Sequence, residues 1–229
     1  RILGELRNAI EGLFTVKMRI GFADTSTFGP ILGLINQHSI DLLSLHGRTV
    51  KEGYHSVVHY NLIAEAVQRV NCPVLANGNV TSAATAAAVL AQTGAAGVMV
   101  GRSAIRNPWI FKQIRQHLNH QPLSVPTLSD VRRYINVLHQ TTTAPTAPER
   151  SRVNFLKKYL NFIGQSVDAG GGFLSAMRRA QTEAELFGIC DRYLLTHPHQ
   201  PFAQEPYPGI IARPSCETER QEGSQLTTI

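Results

Sequence analysis

Four apolar runs in the first half of the chain each stop at residues that could bind an anion. Lys17 and Arg19 close the first, and His46 closes the second and leads into Gly47-Arg48-Thr49. The third ends in Asn77-Gly78-Asn79 and the fourth in Gly101-Arg102, followed by Ser103. An arginine offers forked donors that match phosphate oxygens. A glycine lets backbone N–H groups come close to a ligand, and a helix opening at Ser103 would present more of them. A lysine in an otherwise apolar strand is costly unless it meets an anion or a polarised carbonyl, although a strand-end lysine can also reach solvent. Arg19, two residues on, shares the face of Lys17, and one of the two can pair with a carboxylate instead. A lone histidine at a strand end is more often structural than catalytic, and Asn77-Gly78-Asn79 also reads as a tight turn.

The elements that must position these residues alternate. Strand-like runs occupy 14–20, 40–45, 73–76 and 97–100, and helical spacing fills 28–37, 61–70 and 82–92, the last stopped by Thr93-Gly94. Strand, helix, strand, helix implies parallel strands with helical crossovers, buried on both faces. No G-x-G-x-x-G opens any of these helices, which weakens a doubly wound open sheet. The expected fold class is α/β: the C-terminal half of a (β/α)8 TIM barrel, followed by a small all-α helical domain. The four edges then lie on the barrel rim where chemistry is done. If the last two strands are the seventh and eighth, Asn77-Gly78 and Gly101-Arg102 form the usual phosphate site, and about four strands precede residue 14.

The 229 residues, 43% hydrophobic and 17% charged, suffice for one sizeable core and a smaller appendage. Expected boundaries are 1–111 for the barrel part, 112–194 for the helical domain and 195–229 for a disordered tail rich in Pro, Gln, Glu, Ser and Thr. In the helical part Ser129 is the expected cap of a helix over 131–140. A second helix is expected over 152–163, and a third over 182–194 with a capping box from Thr182 to Glu185. The chain begins with Arg1 inside a helix-like stretch, so a fragment is expected. No run of 18 apolar residues predicts a membrane span. Cys72, Cys190 and Cys216 follow no metal spacing and read as free thiols of a reducing compartment.

Charge is uneven. Residues 1–111 hold 9 Lys/Arg against 6 Asp/Glu, residues 112–194 hold 11 against 6, and residues 195–229 hold 2 against 4. The basic middle segment suggests a polyanion partner or, more simply, a solvated helical surface. Its candidate contacts are Arg152, Lys157 and Lys158, with Arg178 and Arg179 after the Gly-rich break at 170–172.

Residues 16–22, His46-Gly47-Arg48-Thr49, residues 77–82 and residues 101–111 closely resemble the tRNA-dihydrouridine synthases, and the similarity covers about residues 1–194. The resemblance implies a flavin-bearing TIM barrel and a helical tRNA-binding domain. It also implies reduction of the C5–C6 double bond of uridines in tRNA, with FMN as cofactor and NADPH as electron donor. It assigns Lys17 and His46 to the flavin ring, Asn77, Gly78 and Asn79 to the segment usually written Asn-Gly-Asp, and Gly101 and Arg102 to the phosphate. It sets Arg48 and Tyr54 beside the extruded uridine. Asn79 departs from the family's aspartate. Where the family often has Tyr-x-Gly-x-Ala-x-Trp, this chain has Tyr54 and Tyr60 at the ends of an altered loop. The family's acid is a cysteine in a loop before the segment at hand, and none of the three cysteines here matches it. No catalytic residue is therefore expected in this segment, and the segment alone is expected to be inactive. A cytoplasmic monomer without metal is expected. The competing readings are an inactive RNA-binding barrel and an FMN barrel acting on a small molecule, such as a dihydroorotate dehydrogenase. The basic helical segment argues against the small-molecule enzyme.

Overall fold

The computed structural model describes residues 1–54 and 56–203. The chain divides into two compact units, Arg1–Gly101 with His117–His120, and Arg102–Gln116 with the residues from Gln121 onward.

In the first unit four parallel strands lie in sequence order: β1 (Thr15–Arg19), β2 (Leu42–His46), β3 (Val74–Asn77) and β4 (Gly97–Met99). Helix α1 (Ile2–Ala9) precedes them, and α2 (Phe28–Gln37), α3 (Tyr60–Arg69) and α4 (Ala83–Thr93) supply the crossovers. The expected strand-helix alternation is present with ends shifted by one or two residues. β2 is central, and Leu43, Ser44, Leu45 and His46 are all buried, as a strand with neighbours on both sides requires. β1, at the edge of the sheet, alternates between exposed and half-buried positions. α4 opens with a reciprocal cap between Ser82 and Thr85 and closes on Gly94, whose φ of 67° is the left-handed stop that glycine adopts without strain.

The described part of the second unit holds α5 (Arg102–Arg106), α6 (Ile110–Leu118), α7 (Leu128–Thr142), α8 (Glu149–Ile163), a 3-10 turn at Gly164–Ser166, α9 (Gly172–Arg179) and α10 (Glu183–Leu194). Their apolar faces meet in one core, with Val131, Ile135, Leu156, Leu160, Phe173, Met177, Leu186 and Cys190 among its buried residues. The cap of α7 is Thr127, not Ser129: Thr127 accepts from the Asp130 N–H while Asp130 accepts from the Thr127 N–H. The Thr182–Glu185 box at α10 is present as expected. No helix among the described residues is long and apolar enough to cross a membrane.

Residues 198–202, expected to lie in a disordered tail, are held against the second unit. Pro198 and Gln200 offer their carbonyls to the Ser129 and Leu128 N–H groups, which an isolated helix start would leave unsatisfied. The Phe202 N–H donates to Pro126, and its ring is 1% exposed within the core of the second unit. A polar composition concealed this anchor, because one buried aromatic outweighs its neighbours' polarity. The rest of the expected tail, 204–229, lies outside the described residues.

If Phe202 anchors the segment, Phe202→Ala removes a buried aromatic and destabilises the second unit by about 3–5 kcal/mol. Urea unfolding checks this; a change within about 0.5 kcal/mol would place residue 202 on the surface.

Candidate functional site

Parallel pairing brings the carboxyl ends of all four strands to one side. The register aligns Arg19 with His46, His46 with Asn77, and Asn77 with Met99, so these four residues form a row across the sheet. Two residues earlier, and so on the same face, Lys17 aligns with Ser44. Leu45 and Ala76 occupy the opposite face and are fully buried. Sequence spacing thus placed Lys17, Arg19, His46 and Asn77 correctly relative to one another.

The row is built differently at each position. Lys17 is exposed. Arg19 donates to the Thr49 carbonyl at 2.7 Å, so its partner is backbone and not a carboxylate. Its guanidinium carbon also lies 5.7 Å from the centre of the Tyr54 ring, within cation–π range. The His46 ring is buried, 6.5 Å centre to centre from Tyr54. The Asn77 side-chain amide donates to the Met99 carbonyl at 2.8 Å, tying β3 to the end of β4.

Arg48 was expected to face the substrate. The structure places it inside the loop between β2 and α3, with no solvent exposure. Its Nε donates to the Ser56 carbonyl at 2.7 Å, and Nη1 donates to Asn79 Oδ1 at 3.3 Å. It braces two loops, and a buried guanidinium needs such acceptors.

Val58 wedges between two glycines. A Cβ on Gly47 would lie 2.7 Å from Val58 Cγ1, and a Cβ on Gly78 would lie 2.8 Å from it. Valine is stiff at χ1 and cannot swing away easily. Gly78 also has φ of 138°, which side-chain-bearing residues rarely adopt. Asn79 follows at φ 47°. The Tyr60 hydroxyl donates to the Gly78 carbonyl at 2.8 Å, and the His59 N–H donates to the Gly47 carbonyl at 2.7 Å. The Asn77-Gly78-Asn79 turn is therefore held from three sides.

Residues 49–59 close through Glu52. Its carboxylate accepts from the Thr49 N–H at 2.6 Å and meets His59 Nε2 at 2.7 Å, while the Glu52 N–H donates to Thr49 Oγ1. Sequence reading missed Glu52, Val58, His59 and the role of Tyr60. The Thr-x-x-Glu spacing from 49 to 52 was the available signal: it is a capping-box pattern, used here in a turn.

Cys72 sits just before β3, at the opposite end of the strands from His46, and burial raises its pKa. Cys190 lies in the core of the second unit, and burial pushes its thiol up to about 12. Cys216 lies outside the described residues.

In the second unit Arg102 opens α5, directly after Gly101. Arg152 grips Glu183 through Nε at 2.7 Å and Nη2 at 3.2 Å, and His139 meets the same carboxylate at 2.7 Å. The Arg152 hydrogen bond is the main reason that the Glu183 pKa falls to about 2. Lys157 donates to the carbonyls of Arg178 and Ala180 at the end of α9. Two of the expected RNA contacts on α8, Arg152 and Lys157, thus hold helices together. The third, Lys158, is exposed, with its ammonium 5.3 Å from the Phe155 ring centre.

The family profile described as dihydrouridine synthase matches residues 1–167. The chain belongs to the dihydrouridine synthase family. It is 32% identical over 193 residues to tRNA-dihydrouridine synthase B of Xanthomonas campestris pv. campestris, covering 81% of this chain and 57% of the relative. It is 37% identical over 136 residues to the protein of that name from Escherichia coli K12, covering 58% of this chain and 42% of the relative. The chain spans about half the length of the curated relatives it matches. Within this family member, the matched region contains the whole strand-end row and its bracing loop.

The Glu52 pKa is pulled from its ordinary 4.5 to about 2, first by His59 and then by the Thr49 N–H. A lowered carboxylate pKa means that this tie is fully present above 4.5 and is lost as pH falls toward 2. Protection of the Thr49 amide from hydrogen exchange, corrected for intrinsic rate, should fall through that window in the native protein. Glu52→Gln should remove the step. An identical pH profile in both proteins would dissociate Glu52 from loop order.

Proposed function

We propose that this chain carries the C-terminal half of a (β/α)8 barrel and the helical tRNA-binding domain of a flavin-dependent tRNA-dihydrouridine synthase. The observation that supports this best is the aligned row of Arg19, His46 and Asn77 beside a turn packed on Val58 through Gly78. A side chain at position 78 would collide with Val58, so glycine there lets Val58 pack against the turn and fix it beside the row. The residues that would hold FMN are Lys17, His46, Asn77, Gly78, Asn79, Gly101 and Arg102. Helix α5 has only five residues, so the Arg102 charge matters more for phosphate than the helix dipole.

Bound FMN would supply the hydride for the uridine C5–C6 double bond, with NADPH as the source of electrons. Lys17 contributes a cation on the same strand face as His46. Tyr54, 44% exposed, offers an aromatic surface for an extruded base, whereas Arg48 holds the turn and does not meet RNA directly. Neither Cys72 nor Cys190 suits the acid that protonates the uracil: the first lies at the wrong end of the sheet and the second is buried in another unit. That proton donor belongs to another part of the synthase, so the chain on its own binds tRNA without reducing it.

A chimera tests this reading. The N-terminal part of the Xanthomonas campestris relative is joined ahead of Arg1 and assayed with NADPH and tRNA lacking dihydrouridine. The expected product is uridine heavier by two hydrogen atoms, made by a yellow protein. Lys17→Ala should lower turnover with flavin retained. Arg102→Ala should weaken FMN binding by about 1.5–3 kcal/mol, the worth of a charge-assisted contact. A folded, colourless chimera that binds tRNA without reducing it would reject the enzymatic reading in favour of an RNA-binding scaffold.

A further inference from the structure

Helices α9 and α10 leave an open groove of about 530 Å³ between them, lined by Ala176, Arg179, Ala180, Glu185, Gly188, Ile189 and Arg192. Its small residues, Ala176, Ala180 and Gly188, leave room for a ligand between the helices. Arg179 comes from the end of α9 and Arg192 from the last turn of α10, and both are exposed.

The charges around the groove are unbalanced in a specific way. The Glu185 carboxylate accepts from the Gln181 and Thr182 N–H groups at the start of α10. Asp191, next to Arg192, pairs with Arg132. The carbonyls of Arg178 and Ala180, the negative end of α9, are taken by the Lys157 ammonium. Arg178 is held by a neutral partner, Asn161. Among the described residues no carboxylate forms a salt bridge with Arg178, Arg179 or Arg192. Glu185 is exposed on the groove wall and keeps its charge, so the lining carries two exposed arginines against one carboxylate.

We propose that this groove seats backbone phosphates of RNA, with Arg179 and Arg192 as the contacting residues. The inference rests on the tRNA reading above and replaces Arg152 and Lys157, both engaged within the fold, with two arginines that form no salt bridge among the described residues. Guanidinium groups on two helices can grip phosphates on either side of a shallow groove, giving affinity and position without base specificity.

The experiment measures tRNA affinity of the chain across a range of salt concentrations. The proteins compared are the unaltered chain, R179Q/R192Q, R179E/R192E, R179K/R192K and R115E/R150E. The last makes the same change in net charge elsewhere on the second unit. Circular dichroism and thermal melting confirm that each variant folds. The Gln pair, which introduces no new charge, keeps the test valid should the Glu pair unfold. With two phosphate contacts removed, affinity at low salt should fall about tenfold or more, and the slope of log affinity against log salt should flatten by about 0.7–0.9 per contact. The Lys pair should keep most of the slope, and R115E/R150E should lose much less affinity. If R115E/R150E loses as much as R179E/R192E, the effect is overall charge and the groove is no site. Calorimetric titration with inorganic phosphate separates a free-anion site: saturable phosphate binding with unchanged tRNA affinity in the Gln pair overturns the proposal. If the unaltered chain binds no tRNA, the tRNA reading itself fails. If it binds and the groove variants bind equally well, only the groove is rejected.

Discussion

A buried positive charge organises the strand-end loops of the first unit. Arg48 has no exposure, and a guanidinium removed from water is tolerated only when its donors find acceptors. Two of those acceptors, the Ser56 carbonyl and the Asn79 side chain, belong to different loops. Satisfying one side chain therefore brings the segment after β2 against the turn after β3. Val58 and Tyr60 then pack where that approach puts them, and Gly47 and Gly78 leave the space they need. Asn79, where the family usually has aspartate, still offers an oxygen to Arg48 but contributes no charge.

The second unit is tied together in an analogous way by a carboxylate. Glu183 joins α10 to Arg152 on α8 and His139 on α7, so three helices meet at one side chain. Counting arginines and lysines yields the net charge but a misleading picture of its availability. Partners 31 residues away for Arg152, and 21 and 23 away for Lys157, decide which cations face outward.

The sequence was most informative where structure is local. Apolar runs and helical spacing located the strands and helices, and parallel pairing then aligned Lys17, Arg19, His46 and Asn77 as spacing suggested. Thr182 and Glu185 were recognisable as a cap because both signals lie within one turn. Thr127 was overlooked because its partner is an aspartate, which fits the capping pattern less well than glutamate, and because carbonyls at 198 and 200 complete the helix start from far along the chain. Phe202 and Arg48 were misplaced for one shared reason. Burial is a property of the assembled fold, and the polar residues around Phe202 and the strand-end position of Arg48 both suggested solvent.

The chemistry of Cys190 has a practical consequence. A thiol with its pKa near 12 and no exposure is almost never a thiolate, so alkylating reagents reach it only when α10 leaves the core. Cys72, less buried and in the other unit, reports on a separate region. Labelling rates at the two positions, resolved by peptide mass, therefore act as independent clocks of local opening. They let the rigidity of the helical unit be followed without any introduced probe.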